Sequence, residues 1–424
     1  MITREKLFRL SWYLLIFSIP FEILQISISG FNIRLHQILL LITIMLAVVA
    51  YYSKIPEKLR FLQKNIFNFN FWYNNIYLFL FLGIAILYII GGLIFGESTQ
   101  LTLIRGGAFL GYIILFGVIY YGINSKSQLL NVFKTLFYST TILILFGIYE
   151  AIAFQNGWNN FMYFPGRVDS FFPEPNWFSM FISFIYAILI PLYYFSNNKR
   201  EKILLALMFI GVTFISILAM GRAAWLTMII LNIIFILQNI ISKSFSKKLI
   251  SFIISMTLFS TIAVVLSQTG LTDFNLRDRF LSTFTHDIII YENETKNVTG
   301  ENTTKVIRDV NVDIRYESYL MSLIRYQKSP FIGMGPTDEH NMFLGILVGS
   351  GIIGIALFLA ILYLLFKQSI LFYKHNTQAV TLISLLTIAI IITGIFNDSL
   401  LFGAVWLMFA IITRIPDLIV YKKI

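Results

Sequence analysis

The sequence contains no cysteine and only four histidines among its 424 residues. Without cysteine there are no disulfide bonds and no thiolate metal sites, and so few histidines disfavour a histidine-rich metal centre. Charge is also scarce, because Asp, Glu, Lys and Arg make up 12% of the residues, whereas 58% are hydrophobic and the mean hydropathy is +0.79. A soluble domain needs more charge to cover its surface, so we expect lipid to solvate much of this chain.

Long apolar runs make up most of the chain. A helix needs roughly 20 apolar residues to cross the hydrocarbon core of a bilayer. Twelve runs are predicted to be spans: 7–24, 35–52, 74–95, 103–123, 130–154, 177–196, 203–220, 222–241, 249–268, 341–366, 379–396 and 400–416. The breaks near 221 and 398 are tight, so ten or eleven spans stay open. The first run lacks a small-residue cleavage site, which predicts an uncleaved signal-anchor helix.

The net charge of +11 indicates topology rather than nucleic-acid binding, because the basic residues lie in short loops between apolar runs. With the N-terminus in the cytoplasm, the inner segments hold 20 of the 32 basic residues and four of the 21 acidic residues. The positive-inside rule therefore predicts that both termini are cytoplasmic.

Arginine predominates among the basic residues of the predicted outer side. Nine of the twelve basic residues there are arginines, whereas lysines outnumber arginines 15 to 5 on the inner side. A planar guanidinium binds phosphate or carboxylate with two parallel hydrogen bonds. The outer face is therefore predicted to bind a phosphorylated ligand. The alternative is chance together with local ion pairing.

The predicted spans divide this all-α, polytopic membrane protein into three parts. Residues 1–268 hold transmembrane helices 1–9, residues 269–340 form one large extracytoplasmic loop, and residues 341–424 hold helices 10–12. A long structured loop in a compact protein usually carries function. Within this loop, the apolar spacing at 313–328 predicts an amphipathic helix at the membrane surface.

Three motifs lie in the predicted outer segments. The first, at 167–177, contains a Phe-x-Glu-Pro-Asn core, and the second is Gly-Arg-Ala-Ala-Trp at 221–225. The third, at 330–354, contains Pro-Phe-Ile-Gly-Met-Gly, then His-Asn at the start of a helix, then Gly-Ile-Ile-Gly. In this order, the three segments resemble those of the O-antigen polymerase/ligase superfamily.

The resemblance implies a bacterial glycosyltransferase with a membrane-embedded, GT-C-like fold. Members transfer a glycan from undecaprenyl diphosphate to an acceptor hydroxyl on the outer face of the cytoplasmic membrane, without a nucleotide sugar. The resemblance thus implies metal-independent, inverting-type transfer with no cofactor, in an active site that faces the periplasm. The implied partners are the lipid-linked donor, a glycan or lipid acceptor and membrane lipid. A chain-length regulator protein is an optional further partner.

The form of the first motif favours a polymerase, which uses a second lipid-linked glycan as acceptor. A ligase, which uses the lipid A core, stays the alternative. A lipid-linked glycan flippase is the alternative of another class, since it too could bury arginines that bind diphosphate. A flippase is expected to show related halves and charges at midplane depth. In this sequence the candidate charges cluster at outer helix ends and no repeat relates the halves.

Arg222 and Arg167 are the first candidates for stabilising a diphosphate leaving group. Cleavage of the glycosyl bond builds negative charge on the diphosphate, and arginines near the membrane surface stabilise it. Arg222 stands in a tight apolar helix pair, where a buried charge is costly; the alternative is a side chain that snorkels to the interface. Arg167 lies just before the Glu-Pro-Asn core and could instead pair with Asp169.

Four further arginines are candidates for the same diphosphate. Arg315 and Arg325 lie at the two ends of the predicted loop helix, and either could instead pair with Glu317. Arg34 and Arg105 are weaker candidates.

The acceptor hydroxyl loses a proton as it attacks, which requires a general base. His340 is the first candidate, because imidazole titrates near neutral pH and this residue begins a helix beside the Gly-rich turn. The alternative is an interfacial histidine that donates a hydrogen bond. Glu174 is the rival base or could orient His340, and would otherwise cap a helix or pair with an arginine. Glu150 is a weaker candidate of the same kind.

Aromatic residues cluster around the first motif and could stack on sugar rings or form an interfacial belt. They are Trp158, Tyr163, Phe164, Phe171 and Trp177.

The predicted loop at 269–340 yields a direct test of topology. Cysteines introduced at Thr295 and Thr303, in a chain without natural cysteine, should react with a membrane-impermeant maleimide in intact spheroplasts. Protection of both cysteines until the cells are lysed would overturn the predicted orientation.

Overall fold

The computed structural model describes residues 3–28, 31–52, 75–159, 161–162, 166–241, 247–267, 310–336, 340–372, 376–397 and 400–420. The described residues form thirteen helices and one two-stranded sheet. The helices are α1 Arg4–Ser18, α2 Leu35–Tyr51, α3 Ile76–Phe95, α4 Thr99–Gly122, α5 Lys126–Gln155, α6 Pro175–Phe195, α7 Lys199–Ala219, α8 Arg222–Ile241, α9 Lys247–Ser267, α10 Val310–Lys328, α11 Met342–Phe372, α12 Thr377–Phe396 and α13 Gly403–Val420. The strands are β1 Gln25–Ile28 and β2 Phe31–Arg34.

A helix lies at each of the twelve predicted spans and at the predicted loop helix. Eight helices, α3 to α8 together with α11 and α12, are long and apolar enough to cross a membrane. The class of all-α, multi-pass membrane protein therefore agrees with the structure, whereas the count of twelve spans and the GT-C-like fold stay predictions. Most of the predicted large loop, at 269–309, lies outside the described residues.

The connections between helices gather at two ends of the bundle. At one end, the Ile23 amide donates to the Phe171 carbonyl at 2.9 Å and the Met342 amide donates to the Asn397 carbonyl at 3.2 Å. We call this the loop end, and its described residues are 19–28, 31–34, 156–159, 161–162, 166–174, 220–221, 329–336, 340–341, 397 and 400–402. At the opposite end, Arg414 Nε donates to the Ile123 carbonyl at 2.7 Å. All three sequence motifs reach the loop end.

A short β-hairpin, which the hydrophobic pattern does not predict, lies between α1 and α2. The strands pair antiparallel, with Gln25 opposite Arg34 and Ile28 opposite Phe31. Four residues per strand are too few to give a clear alternation, so the hydrophobic pattern alone did not reveal them. The Ser-Gly pair between the strands is the turn signal that could have indicated them.

α11 is broken inside its apolar run. Gly351 has φ 68° and ψ −171°, which interrupts the helix. The turn that follows α10 fills the break, because the Met334 amide donates to the Val348 carbonyl at 2.8 Å and the Ile352 amide donates to the Pro330 carbonyl at 2.8 Å. A broken helix is tolerated at membrane depth only where the freed backbone groups find partners in the protein. The third motif therefore has a structural role in addition to any chemical one.

The glycines of this turn allow it to lie directly against two helices. Gly335 has φ 80°, and a Cβ there would lie 2.3 Å from the Cα of Gly92 in α3. Gly333 has φ 78°, and its Cβ would lie 2.3 Å from the carbonyl carbon of Gly349 in α11. Only glycine combines this conformation with so close a backbone approach. The Gly-rich turn that the sequence predicts before His340 is confirmed.

α10 presents an apolar face that the described protein does not cover. Leu320, Met321, Leu323 and Ile324 are each more than 40% exposed, whereas Ser322 is buried. The helix predicted at 313–328 is confirmed, and its position at the membrane surface stays a prediction.

The break in α11 gives a stability prediction. Gly351→Ala should lower the free energy of unfolding by about 2 kcal/mol or more, because alanine is strained at this φ and its Cβ would lie 2.2 Å from the Phe331 carbonyl oxygen. Gly111→Ala in α4 is the matched control, since a Cβ there meets nothing within 4 Å. Thermal unfolding in detergent measures both. Equal melting temperatures for the two variants would contradict the account of the break.

Candidate functional site

The first motif folds onto a buried carboxylate. Glu150 of α5 is fully buried, and its Oε2 accepts a hydrogen bond from the Ser170 amide at 2.8 Å. The Asp169 amide also donates to this carboxyl group. Ser170 has a left-handed backbone, with φ 53°, and its hydroxyl donates to the Leu143 carbonyl at 3.0 Å. Glu150 therefore supports the loop at 166–174 and is too buried to serve as an accessible base.

Arg167 joins the first motif to the second. Its Nη2 donates to Asn176 Oδ1 at 3.2 Å, and both Nε and Nη2 donate to the Ala219 carbonyl at 3.4 Å. The Val168 amide donates to the Leu218 carbonyl at 3.3 Å, which fixes the same contact through the backbone. A cation at the C-terminal end of α7 is favoured by the helix dipole. The carbonyl that Arg167 contacts thus belongs to a residue only three positions before the start of α8 at Arg222.

Arg222 begins α8 at a sharp corner. Met220 is left-handed, with φ 52°, and the amides of Ala224 and Trp225 donate to the Gly221 carbonyl. A Cβ on Gly221 would lie 2.1 Å from the hydroxyl of Ser179, so the corner packs tightly on α6. The Arg222 side chain is half-buried. The first two motifs therefore bring Arg167 and Arg222 to one corner of the loop end.

Glu174 lies at the N-cap of α6 with an exposed side chain. That side chain makes no capping hydrogen bond, and Pro175 occupies the first turn. The capping role that the sequence left open for Glu174 is therefore not realised, and its carboxylate is accessible at the loop end.

His340 is exposed, immediately before α11. The next residue, Asn341, caps that helix, because its Oδ1 accepts from the amides of Phe343 at 2.9 Å and Leu344 at 3.1 Å. Asn341 Nδ2 also donates to the Ile395 carbonyl at 2.8 Å, at the end of α12. α12 packs against α6 and α8. The His340 backbone is thus held at the same end of the bundle as Glu174 and the Arg167–Arg222 corner.

Arg325 lies at a separate cleft. Its Nε is 4.0 Å from Glu97 Oε1, and the two side chains are 37% and 71% exposed, so this ion pair is weak. The cleft has a volume of about 90 Å³ and lies between the α3–α4 corner and the turn at 334–336. Arg315 belongs to α10, and its side chain lies outside the described part of the chain. The structure therefore places Arg325 at this cleft rather than at the Arg167–Arg222 corner, and the role of Arg315 stays a prediction.

A buried ion pair at the loop end was missed by the sequence analysis. Arg34 Nη1 lies 2.6 Å from Glu22 Oε2, and it also donates to the Tyr112 hydroxyl at 2.8 Å and the Leu401 carbonyl at 3.2 Å. Glu22 is fully buried. Burial disfavours the charge of Arg34, but Glu22 and Tyr112 outweigh it and raise the pKa of Arg34 above its ordinary value. The guanidinium therefore stays charged.

The aromatic residues of the first motif pack mainly within the protein. The Arg34 guanidinium lies 5.4 Å from the centre of the Trp177 ring, and Phe402 lies 5.5 Å from the same ring. Phe171 stacks on Phe146 at 4.2 Å. Trp158 is 56% exposed, whereas 163 and 164 lie outside the described residues. Phe171 and Trp177 therefore pack against other side chains and stabilise the loop. Among the described aromatic candidates, only Trp158 has a ring that is mostly exposed.

No group of three or more His, Asp or Glu side chains that could hold a metal ion occurs in the described ranges. The sequence matches no model of a known protein family, and no curated protein matches it.

Proposed function

We propose that this protein is a membrane glycosyltransferase that polymerises undecaprenyl-diphosphate-linked oligosaccharide repeat units on the outer face of the bacterial cytoplasmic membrane. The observation that carries the proposal is the Arg167–Arg222 corner, with Glu174 and His340 exposed at the same end of the bundle. Two arginines, a carboxylate and an imidazole are the groups that transfer from a diphosphate donor to a hydroxyl requires.

The corner suits a diphosphate leaving group. Negative charge builds on the diphosphate as its bond to the sugar breaks, and preorganised guanidinium groups stabilise that charge without reorganising. Arg167 is already oriented by Asn176 and the Ala219 carbonyl. α6 starts beside it without a side-chain cap, and the positive end of a helix dipole also favours an anion.

His340 is the proposed general base, and Glu174 either orients it or takes the proton itself. A general base must reach the acceptor hydroxyl directly or through one water. Both side chains are exposed, as access to a glycan acceptor requires. The acceptor oxygen then bonds to the anomeric carbon while the diphosphate leaves with the bonding electron pair.

The distribution of basic residues supports an outer location for this site. The helix ends opposite the loop end carry Arg4, Lys6, Arg9, Lys126, Lys199, Arg200, Lys202 and Arg414. The positive-inside rule assigns that end to the cytoplasm, and the loop end then faces the periplasm.

Two alternatives follow from the same site. An O-antigen ligase would use the same donor groups with a lipid A core as acceptor. A flippase needs its diphosphate-binding charges near midplane depth. Arg222 and Glu174 lie at helix ends and Arg167 contacts the end of α7, which favours transfer over transport.

The test of the proposal is reconstitution with a single substrate. Purified protein is incubated with a lipid-linked repeat unit alone, and the products are separated by size. A ladder of longer lipid-linked glycans supports a polymerase. Products that form only when a lipid A core is added indicate a ligase, and the absence of new glycosidic bonds under both conditions would contradict a glycosyltransferase.

Arg222 gives the first prediction for activity. Arg222→Ala should abolish transfer while the protein still inserts and folds, and Arg222→Lys should recover little, because lysine cannot form two parallel hydrogen bonds to a phosphate. Product formation by detergent-purified protein of unchanged melting temperature measures this. Near-normal activity of Arg222→Lys would show that a single positive charge stabilises the diphosphate without two parallel hydrogen bonds, which contradicts the prediction.

His340 gives the second prediction. His340→Ala should slow the chemical step by about a hundred-fold or more and leave donor binding nearly unchanged. Single-turnover rates and equilibrium binding of the lipid-linked donor, measured on the same variant, check both parts of this prediction. If His340→Ala and His340→Gln both keep most of their turnover, the residue is only an interfacial hydrogen-bonding group. If donor binding is lost with turnover, His340 helps to hold the diphosphate and Glu174 becomes the better base.

A further inference from the structure

Within the residues that the structure describes, one of the three guanidinium nitrogens of Arg34 forms all of its side-chain hydrogen bonds and its ion pair. All three of its hydrogen-bond or ion-pair partners, Glu22, Tyr112 and the Leu401 carbonyl, lie on Nη1. Within the described part of the chain, Nε and Nη2 have no hydrogen-bond acceptor, and the side chain is 20% exposed. An Nε–Nη2 edge presents two parallel N–H groups, which is the geometry that binds two oxygens of one phosphate or carboxylate.

The partners of Nη1 fix the direction of that edge. The Glu22 carboxylate is fully buried, and its Oε1 also accepts from the Gly403 amide at 3.4 Å. The contacts reach α4 through Tyr112 and the segment before α13 through Leu401, so they immobilise the guanidinium from several sides. The free-energy cost of removing water from a buried ion pair is about as large as the electrostatic attraction between its two charges. A contribution to stability is therefore a weak explanation for the Arg34–Glu22 pair.

Arg34 lies beside the proposed donor site. Its guanidinium stands over the ring of Trp177, in the first turn of α6. The preceding residue, Asn176, accepts a hydrogen bond from Arg167. Arg34 and Arg167 therefore contact consecutive residues of one helical turn, next to the exposed carboxylate of Glu174.

We infer that Arg34 is a further oxyanion-binding residue of the proposed donor site, whose Nε–Nη2 edge donates two hydrogen bonds to a phosphate of the lipid-linked diphosphate. The inference rests on the proposed function, since the lipid diphosphate is the anion that the proposed reaction supplies. In this arrangement Glu22 orients Arg34, and Arg34 and Arg167 bind the donor from two sides of the first turn of α6.

A purely structural role is the competing explanation, and the chain offers a matched control for it. Arg414, at the opposite end, forms an ion pair with Asp417 at 2.8 Å, donates to the Ile123 carbonyl and stands 5.0 Å over the ring of Tyr120. Its side chain is 18% exposed, close to the 20% of Arg34. The two arginines thus have similar structural contacts, and only Arg34 lies near the proposed donor site.

Binding of farnesyl diphosphate to purified full-length protein tests the inference, with farnesol as the control for binding of the tail alone. Arg34→Gln should weaken binding of farnesyl diphosphate by about tenfold or more, because two charge-assisted hydrogen bonds are lost. Arg414→Gln should change it by no more than about twofold. Neither substitution should change the binding of farnesol. If Arg34→Gln does not fold, Arg34→Lys and Arg414→Lys replace the pair, and only the first should weaken binding.

The outcomes separate the inference from the proposed function. Equal affinities for farnesyl diphosphate in the Arg34 and Arg414 variants would overturn the role of Arg34 and leave the proposed transferase intact. A wild-type protein that binds farnesyl diphosphate no better than farnesol would overturn both. Loss of farnesol binding in the Arg34 variant would show that the residue only maintains the fold, which also overturns the inference.

Discussion

The structure depends on one constraint. Where a helix ends or breaks inside an apolar bundle, the backbone N–H and C=O groups that lose their helical hydrogen bonds must find partners within the protein. At the break in α11, the turn at 330–335 supplies those partners. In the loop at 166–174, the buried Glu150 carboxylate receives the Ser170 amide. At the end of α7, the guanidinium of Arg167 donates to the Ala219 carbonyl. All three sets of hydrogen bonds lie at the loop end, and each immobilises a segment that carries polar side chains.

The same constraint determines where chemistry is feasible. Arg167 donates a hydrogen bond to the Ala219 carbonyl at the end of α7 and is thereby held near Arg222. Asn341 caps α11 and thereby fixes the backbone next to His340. A site built on rigid helix ends holds its groups in place before the substrate arrives, which is the condition for electrostatic stabilisation of a transition state. The proposed transferase therefore uses groups that the fold has already oriented for structural reasons.

The sequence predicted the features that depend on local composition and missed those that depend on distant contacts. Apolar runs predict a helix at every span, and the predicted break near 221 is confirmed because α7 ends at Ala219 and α8 begins at Arg222. The sequence predicts one continuous span at 341–366, because Gly351 barely changes the hydropathy of this run although it breaks the helix. Arg34 was ranked low, since its partners Glu22 and Tyr112 come together only when the hairpin folds. Glu150 was weighed as a base, and nothing local revealed that the Ser170 amide would bind it.

The central claim is that the loop end binds a polyprenyl diphosphate. Photo-crosslinking tests it most directly: protein in nanodiscs is irradiated with a polyprenyl diphosphate that carries a diazirine next to the diphosphate, and the labelled peptides are mapped by mass spectrometry. The account predicts label in peptides that contain residues 31–40, 166–177 and 219–225, and this label should disappear when unlabelled undecaprenyl diphosphate competes. Label confined to the opposite end, around residues 120–126 and 414–417, would contradict it.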